Sequence, residues 1–469
     1  MLRISSFLLL LMVACTTYAQ GYTGSWKGRL DIGPGLRIIF HITESSPGTL
    51  VSTADSPDQN ARGLKCDTTY INSTGIHIEM RKLRAAFAGK LEGDTVIDGT
   101  FTQGAPIPLR LTRSVNDESP RRPQEPMPPF PYRSEDLVFS SKTTGLDYGA
   151  TLSIPPGKGP FPAVVLITGS GQQDRNYELM GHRPFAVLAD QLARKGVAVL
   201  RVDDRGKGKS TGDFSRSTSQ DFAADVSASL DFLLTRPEIK KSALGLVGHS
   251  EGGMIAPIVA AGRNDLRFVV LLAAPGVPIS QLMTEQSSAI LRSSGVGDSA
   301  IAVYAPFYRV LMKTLTTGTD SATAVRSARE YMENWAATAD TAALRELQLG
   351  SPMARLSMFR TLAAVARNPW FRYFMAYDPA PFLEKMKMKV LALNGDKDVQ
   401  VLPASNMKGI RDALEKGGNR HFETEILPGL NHLFQTCTRC TVAEYSELEE
   451  TFSPVALKKI TDWIVKATM

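Results

Sequence analysis

Gly248-His249-Ser250-Glu251-Gly252 is the stretch of this 469-residue chain best placed to do chemistry. The apolar run Leu244 to Val247 reads as a buried strand and Met254 to Ala261 as an apolar helix, so Ser250 stands on a strand-to-helix turn. In a G-x-S-x-G nucleophile elbow, such a turn holds the serine in strained geometry with its hydroxyl exposed above the sheet. The flanking glycines sit where side chains would collide as strand and helix close up. A serine hydroxyl is a weak nucleophile, so the elbow needs a base and a site for an oxyanion. The bland alternative, a glycine-rich turn in a strand–helix unit, needs neither. A second match, Gly208-Lys209-Ser210-Thr211-Gly212, has no apolar strand running into it and no apolar helix after it. Its Gly-Lys-Ser core also mimics a phosphate-binding loop, but Asp203 stands where that motif requires glycine.

Two histidines follow Ser250. His421 opens an alternating strand over 421–427 and reads as structural. His432 lies in Pro428-Gly429-Leu430-Asn431-His432, past that strand's carboxyl end, where sheets of this kind place their chemistry. His432 is therefore the expected base. Gly395-Asp396-Lys397-Asp398 leaves the end of another strand, and either aspartate could orient the imidazole and stabilise its cation. Spacing leaves both open. For the oxyanion, one donor is the amide of Glu251 and the other comes from the bare loop Gly169-Ser170-Gly171-Gln172, at Ser170 or Gly171. His249 and His182 read as packing or loop-bracing residues, and His41 and His77 as satisfied structural histidines within strands.

Behind these residues stand two kinds of element. From Trp26 to about Arg113, short alternating runs such as Leu36–Ile42, Gly75–Met80 and Thr95–Phe101 predict an all-β module, a small barrel or sandwich, within residues 20–115. Prolines at 120, 123, 126, 128, 129 and 131 mark a stiff linker over 116–133. From 134 to 469, strand patterns (161–167, 197–202, 244–247, 268–273, 390–394, 422–427), most of them apolar, alternate with helical patterns, which implies an α/β fold whose parallel sheet is covered on both faces. The rhythm breaks over about 278–385, a helix-rich interval expected to form a cap over the site. Ser453 and Pro454 open a last helix as N-cap and first residue.

Composition bounds the setting. Residues 1–19 combine Arg3, an apolar segment from Phe7 to Ala14 and small residues before Gln20, a secretory signal cleaved after Ala19. Lipidation at Cys15 is the alternative to plain export. No later segment is long and apolar enough to anchor the chain. The net charge of +6 comes with no basic block or aromatic–basic interleaving, which argues against nucleic acid as a partner. Of the cysteines beyond the signal, Cys66, Cys437 and Cys440, the last two form a Cys-x-x-Cys in a loop-like stretch. Zinc would need further ligands, and a thioredoxin-type motif would open a helix, so a local disulfide is expected there. No metal site is expected.

Gly169-Ser170-Gly171-Gln172-Gln173-Asp174-Arg175-Asn176, Arg201 to Gly212 with its Asp204-Arg205-Gly206, Gly248 to Gly253, Leu393 to Asp398, and Asn431-His432 follow one another in an order that resembles bacterial α/β-hydrolase carboxylesterases with a helical cap. That group is often filed beside serine aminopeptidases, and the likeness runs from about Leu137 to the C-terminus. It implies Asp398 as the acid, three places after the glycine, and a bracing role for the Asp-Arg-Gly loop. The β-module is similar to one found ahead of such hydrolases in exported bacterial proteins. The leading reading, which joins the export expected from residues 1–19 to the Ser-Asp-His set, is an exported hydrolase of small or glycan-linked carboxylic esters, with no cofactor implied. A serine peptidase of N-terminal residues or short peptides is the alternative, disfavoured because no propeller-length domain precedes the hydrolase. A glycan-binding protein with an inert hydrolase domain is the alternative of another class, disfavoured by the complete Ser-Asp-His set.

Overall fold

The computed structural model describes residues 21–31, 36–46, 48–57, 61–114, 121–317 and 321–469. Residues 1–19, read above as an expected signal, Cys15 within them, and residues 115–120 of the proline-rich segment lie outside the described residues. The chain divides into two compact units, 1–121 with 179–181, and 122–178 with 182–469.

In the first unit, alternation produces one nine-stranded antiparallel sheet: β1 (Gly24–Leu30), β2 (Leu36–Ser46), β3 (Thr49–Ser56), β4 (Ala61–Lys65), β5 (Thr68–Asn72), β6 (Gly75–Met80), β7 (Ala85–Glu92), β8 (Val96–Gln103) and β9 (Ala105–Ser114). Its order is β4-β3-β2-β1-β9-β8-β7-β6-β5. The sheet curls until Ser52 Oγ on β3 meets Thr69 Oγ1 on β5 at 2.6 Å. Every second residue turns to one face, where Trp26, Phe40, Ile42, Ile76, Phe87, Ile97 and Leu111 are buried. Trp26 donates its indole N–H to the Tyr22 carbonyl at 2.7 Å, and the Arg113 guanidinium lies 4.2 Å over its ring.

The register pairs Ser25 with His41 across β1 and β2. His41 Nδ1 meets Ser25 Oγ at 2.8 Å and Nε2 meets Asp55 Oδ2 at 3.0 Å. This is a Ser–His–Asp trio, but its serine sits on a central strand paired on both sides. A ladder spends its amides on neighbouring strands and leaves none for an oxyanion, so the trio acts as a cross-strand brace.

The second unit holds an eight-stranded sheet in the order β10-β11-β13-β12-β14-β15-β16-β17. Its strands are β10 (Arg133–Ser141), β11 (Leu146–Ile154), β12 (Phe161–Ile167), β13 (Ala198–Val202), β14 (Ile239–His249), β15 (Leu266–Leu272), β16 (Lys389–Gly395) and β17 (Phe422–Leu427). β11 runs antiparallel to β10 and β13, and every other neighbour is parallel. The central parallel strands β12, β15 and β16 are largely apolar, as strands covered by helices on both faces are, whereas β17 at the sheet's edge mixes polar and apolar residues. Seven helices, from Ile279–Ser293 to Ala380–Leu383, separate β15 from β16, with no strand among the described residues of that interval. Phe307 stacks on Trp335 at 3.7 Å in their core. Arg122 and Gln124, from the proline-rich segment, donate to the carbonyls of Leu448 and Phe452 at 2.5 and 2.6 Å. The last helix, Pro454–Thr468, begins after Ser453, whose side chain makes no capping bond. Ser453 is instead buried, its amide spent on the Phe434 carbonyl at 2.8 Å.

Replacing Trp26 with Ala removes a fully buried ring and should cost about 3–5 kcal/mol in the first unit. Hydrogen exchange of the amides in 24–114 reads the loss, which should leave the amides of β12 to β16 protected as before.

Candidate active site

Parallel strands share one carboxyl edge, and the chain crosses the sheet there: β12 sits between β13 and β14, so the loops leaving β12 and β14 diverge. Ser250 follows β14 at that switch point with φ 55° and ψ −120°, a conformation side chains rarely adopt. Close packing imposes it. A Cβ on Gly248 would lie 2.1 Å from the Gly252 carbonyl oxygen, and one on Gly252 would lie 2.1 Å from that of Ile167 on β12. The Ser250 amide bonds the Leu272 carbonyl of β15 at 2.9 Å. Glu251 then opens the helix Glu251–Ala260, so its amide is among those a helix leaves without an internal acceptor.

The loops after β16 and β17 are joined by backbone bonds, Asp396 N–H to the Leu427 carbonyl at 2.9 Å and Lys397 N–H to that of Leu430 at 3.1 Å. Geometry separates the two aspartates. Asp398 is buried, and its Oδ2 meets His432 Nδ1 at 2.8 Å. Its Oδ1 accepts the amides of Gln400 and Val401 at 2.8 and 2.9 Å. Three contacts fix the orientation of the carboxylate. Asp396 instead accepts the Gly429 amide at 2.6 Å and supports the histidine loop from below. His421 is exposed at the start of β17, away from this edge.

His249 ties the elbow to the histidine. Its Nε2 meets the His432 carbonyl oxygen at 2.8 Å and its Nδ1 the Tyr177 hydroxyl at 3.1 Å. A carbonyl only accepts, so Nε2 carries the proton and Nδ1 receives the tyrosine O–H. The Tyr177 oxygen in turn takes the Gly169 amide. Burial pushes the His249 pKa down to about 3, with the neighbouring His432 adding to the effect, so the ring stays neutral. The His249 and His432 rings lie 4.8 Å apart. Among the described residues the Ser250 hydroxyl makes no hydrogen bond to His432, a contact that in hydrolases often tightens only once substrate is present.

Ser170 and Gly171 are exposed on the loop after β12, and Gly171 has φ 92°. Asp204 braces this loop, accepting the Thr168 hydroxyl at 3.1 Å and the Gln173 amide at 2.7 Å. Burial raises the Asp204 pKa to about 7. Asp203 pairs with Arg175 at 2.6 Å, and Arg205 with Asp225 at 2.6 Å. The Ser210 hydroxyl is committed, donating to the Asp203 carbonyl at 2.7 Å and receiving the Gly149 amide at 2.9 Å. Cys437 and Cys440 form a disulfide, Cα atoms 5.0 Å apart, five residues beyond His432. The Glu444 carboxylate holds that turn by the amides of Thr438 and Arg439 at 3.1 Å and of Cys440 at 2.6 Å. The two sulfurs and Glu444 lie within 4.8 Å of one another, but sulfurs bonded together offer a metal no thiolate.

Two residues here escape a reading by spacing. Tyr177 has φ 56° and is buried against His249. Trp370, in the helix Pro369–Ala376, donates its indole N–H to Glu251 at 2.7 Å from 119 positions away.

Residues 181–436 match the family described as serine aminopeptidase, S33 (Hydrolase_4). The chain is 23% identical over 316 residues to esterase EstD of Thermotoga maritima, covering 67% of this chain and 65% of that protein. It is 28% identical over 203 residues to human acyl-coenzyme A thioesterase 6, covering 42% of this chain and 39% of that one. The chain thus spans less than two thirds of the length of these relatives. A solved structure of Est1E from Butyrivibrio proteoclasticus superposes with a TM-score of 0.41 at 15% identity, over 71% of this chain and 98% of the other.

Asp398→Asn should lower kcat on a model ester by about 10⁴-fold with the fold retained, since an amide favours the wrong imidazole tautomer. Asp396→Asn, still able to accept the Gly429 amide, should cost less than about tenfold; equal losses in the two variants would reverse the assignment. His182 supplies a pH signature. It is buried between Thr451 and the Tyr445 carbonyl, and desolvation depresses its pKa to about 4. The unfolded chain takes up that proton near pH 6.5, so the stability due to neutral His182 is complete above that value and is lost as pH falls towards 4. The stability difference between wild type and His182→Gln should therefore shrink by about 3 kcal/mol between pH 7 and pH 4, as read by urea denaturation.

Proposed function

The chain belongs to the serine aminopeptidase S33 family of α/β-hydrolases, and from that premise we propose that it is a serine hydrolase cleaving carboxylic esters through an acyl-enzyme. The observation that carries this reading is the buried 2.8 Å bond from His432 to Asp398 beside the strained elbow at Ser250. With Nδ1 engaged by the carboxylate, Nε2 is the nitrogen left to act as base. Ser250 Oγ attacks the acyl carbonyl and its proton passes to His432 Nε2. The carbonyl oxygen, now an anion, is received by the amides of Glu251 and of Ser170 or Gly171. Collapse breaks the bond to the alcohol oxygen, which leaves with the proton from Nε2. Water then attacks the acyl-serine by the same route and releases the acid.

Ester rather than amide cleavage is supported by the relatives named for esterase and acyl-CoA thioesterase activity. Amide cleavage is the second reading, favoured by the family's own description. Residues 1–19, with a cationic start and an apolar segment, support export of a chain beginning at Gln20, which mass spectrometry of the exported protein reads directly.

Ser250→Ala should lower turnover of p-nitrophenyl acetate by at least about 10⁴-fold; turnover unchanged in this variant sinks the assignment. Wild-type kcat/KM should be higher for p-nitrophenyl acyl esters than for aminoacyl p-nitroanilides, and the reverse order selects the peptidase.

A further inference from the structure

Glu251 follows the nucleophile, and its amide is already engaged in the proposed chemistry. Its side chain turns inward and is 3% exposed. Oε1 accepts the Ser219 hydroxyl at 2.6 Å and the Trp370 indole N–H at 2.7 Å. The carboxyl also takes a hydrogen bond from the Ser170 side chain. Each donor belongs to a different segment. Ser219 starts the helix Ser219–Thr235, Ser170 lies on the loop after β12, and Trp370 belongs to the helix Pro369–Ala376 between β15 and β16.

These donors are all neutral. Burying a carboxyl against neutral donors is costly for its charged form, and burial indeed pushes its pKa up. Packing alone would be served by an apolar side chain of similar volume. What a carboxyl adds here is several acceptor sites on one rigid group, attached to the residue whose amide faces the reacting carbonyl. The helix carrying Trp370 is also seated directly on neighbouring elements. The Tyr373 hydroxyl donates to Gln220 Oε1 at 3.2 Å, and the Tyr377 hydroxyl donates to the Met254 carbonyl at 3.2 Å. Asn368 caps the helix by accepting the Trp370 amide at 2.8 Å, which fixes where the indole begins.

We infer that the Glu251 carboxyl is a positioning residue that couples seating of the cap helix Pro369–Ala376, through Trp370, to alignment of the oxyanion donors at Ser170 and Glu251. When the indole docks, the carboxyl is held in the orientation that also holds Ser170. When the helix lifts, one of its anchors is gone and the loop after β12 loses its reference to the elbow. Substrate under the cap and a competent oxyanion site are thereby made to coincide. This rests on the serine-hydrolase reading above.

The test is a double-mutant cycle on the full mature chain, with active sites counted by a fluorophosphonate so that misfolded protein does not enter kcat. Trp370→Phe removes one N–H while keeping a ring to stack on Phe374, whose centroid is 5.2 Å away. It should lower kcat on p-nitrophenyl acetate by about 5–30-fold and change KM by less than about threefold, as the loss of transition-state rather than ground-state interactions requires. Glu251→Ala should lose about 10–100-fold in kcat, and Glu251→Gln, which keeps an acceptor for the indole, should recover most of that loss. Adding Trp370→Phe to Glu251→Ala should cost nothing further, because the partner is already absent. Wild-type kcat in Trp370→Phe, losses that multiply, a deficit confined to KM, or no recovery in Glu251→Gln each overturns the coupling. If Ser250→Ala leaves turnover intact, the hydrolase reading itself has failed. If Ser250→Ala abolishes turnover while the Trp370 and Glu251 variants behave as unlinked, the coupling alone has failed.

Discussion

Backbone contact at the elbow is the constraint from which the rest of this site follows. Gly252 lies against the Ile167 carbonyl so closely that a methyl group there would overlap it, and Gly248 faces Gly252 in the same way. Two strands and a helix therefore meet without side chains between them. The serine is forced to positive φ, and its own side chain is the one the turn presents at the rim. Such strain persists only where the surroundings over-determine it. Here they do, since β14 is hydrogen-bonded on one side to β12 and on the other to β15.

Around that turn, three loops from distant parts of the chain are held by one unbroken set of buried hydrogen bonds. The Gly169 amide bonds Tyr177, Tyr177 bonds His249, and His249 bonds the His432 carbonyl. Every donor and acceptor in this set has a single consistent role, which fixes the His249 tautomer without titration. The imidazole of His432 is held twice, by its backbone through His249 and by Nδ1 through Asp398. Preorganisation of this kind carries its cost in folding, so little reorganisation is left for the reaction.

The buried carboxyls near the site divide by the company they keep. Asp203 and Asp225 each face an arginine, Arg175 and Arg205, and act as braces. Asp398 meets an imidazole and two amides. Asp204 and Glu251 have neutral donors, and burial raises the pKa of both. Their mutual repulsion adds to the rise at Asp204. These two touch the loop after β12, so two carboxyls whose charged form burial disfavours border the proposed oxyanion site.

Local sequence determined what is local. The alternation of β2 and β17, the apolar run of β12, and the glycines about Ser250 each encode their own geometry within a few residues, because periodicity and steric room act at short range. The order of the proposed serine, aspartate and histidine could be read for the same reason, each lying just past a strand pattern. The hairpin of β10 and β11 was not, since its strands carry little apolar periodicity and gain their place by pairing with β13. Spacing left Asp396 and Asp398 equal; the fold separated them by turning one beneath the histidine loop and burying the other against the imidazole. Tyr177, Trp370 and the bracing of His41 by Ser25 and Asp55 likewise depend on contacts between segments far apart in sequence. A side chain's type states which bonds it can make, but its partner is chosen only when strands, loops and cap have packed.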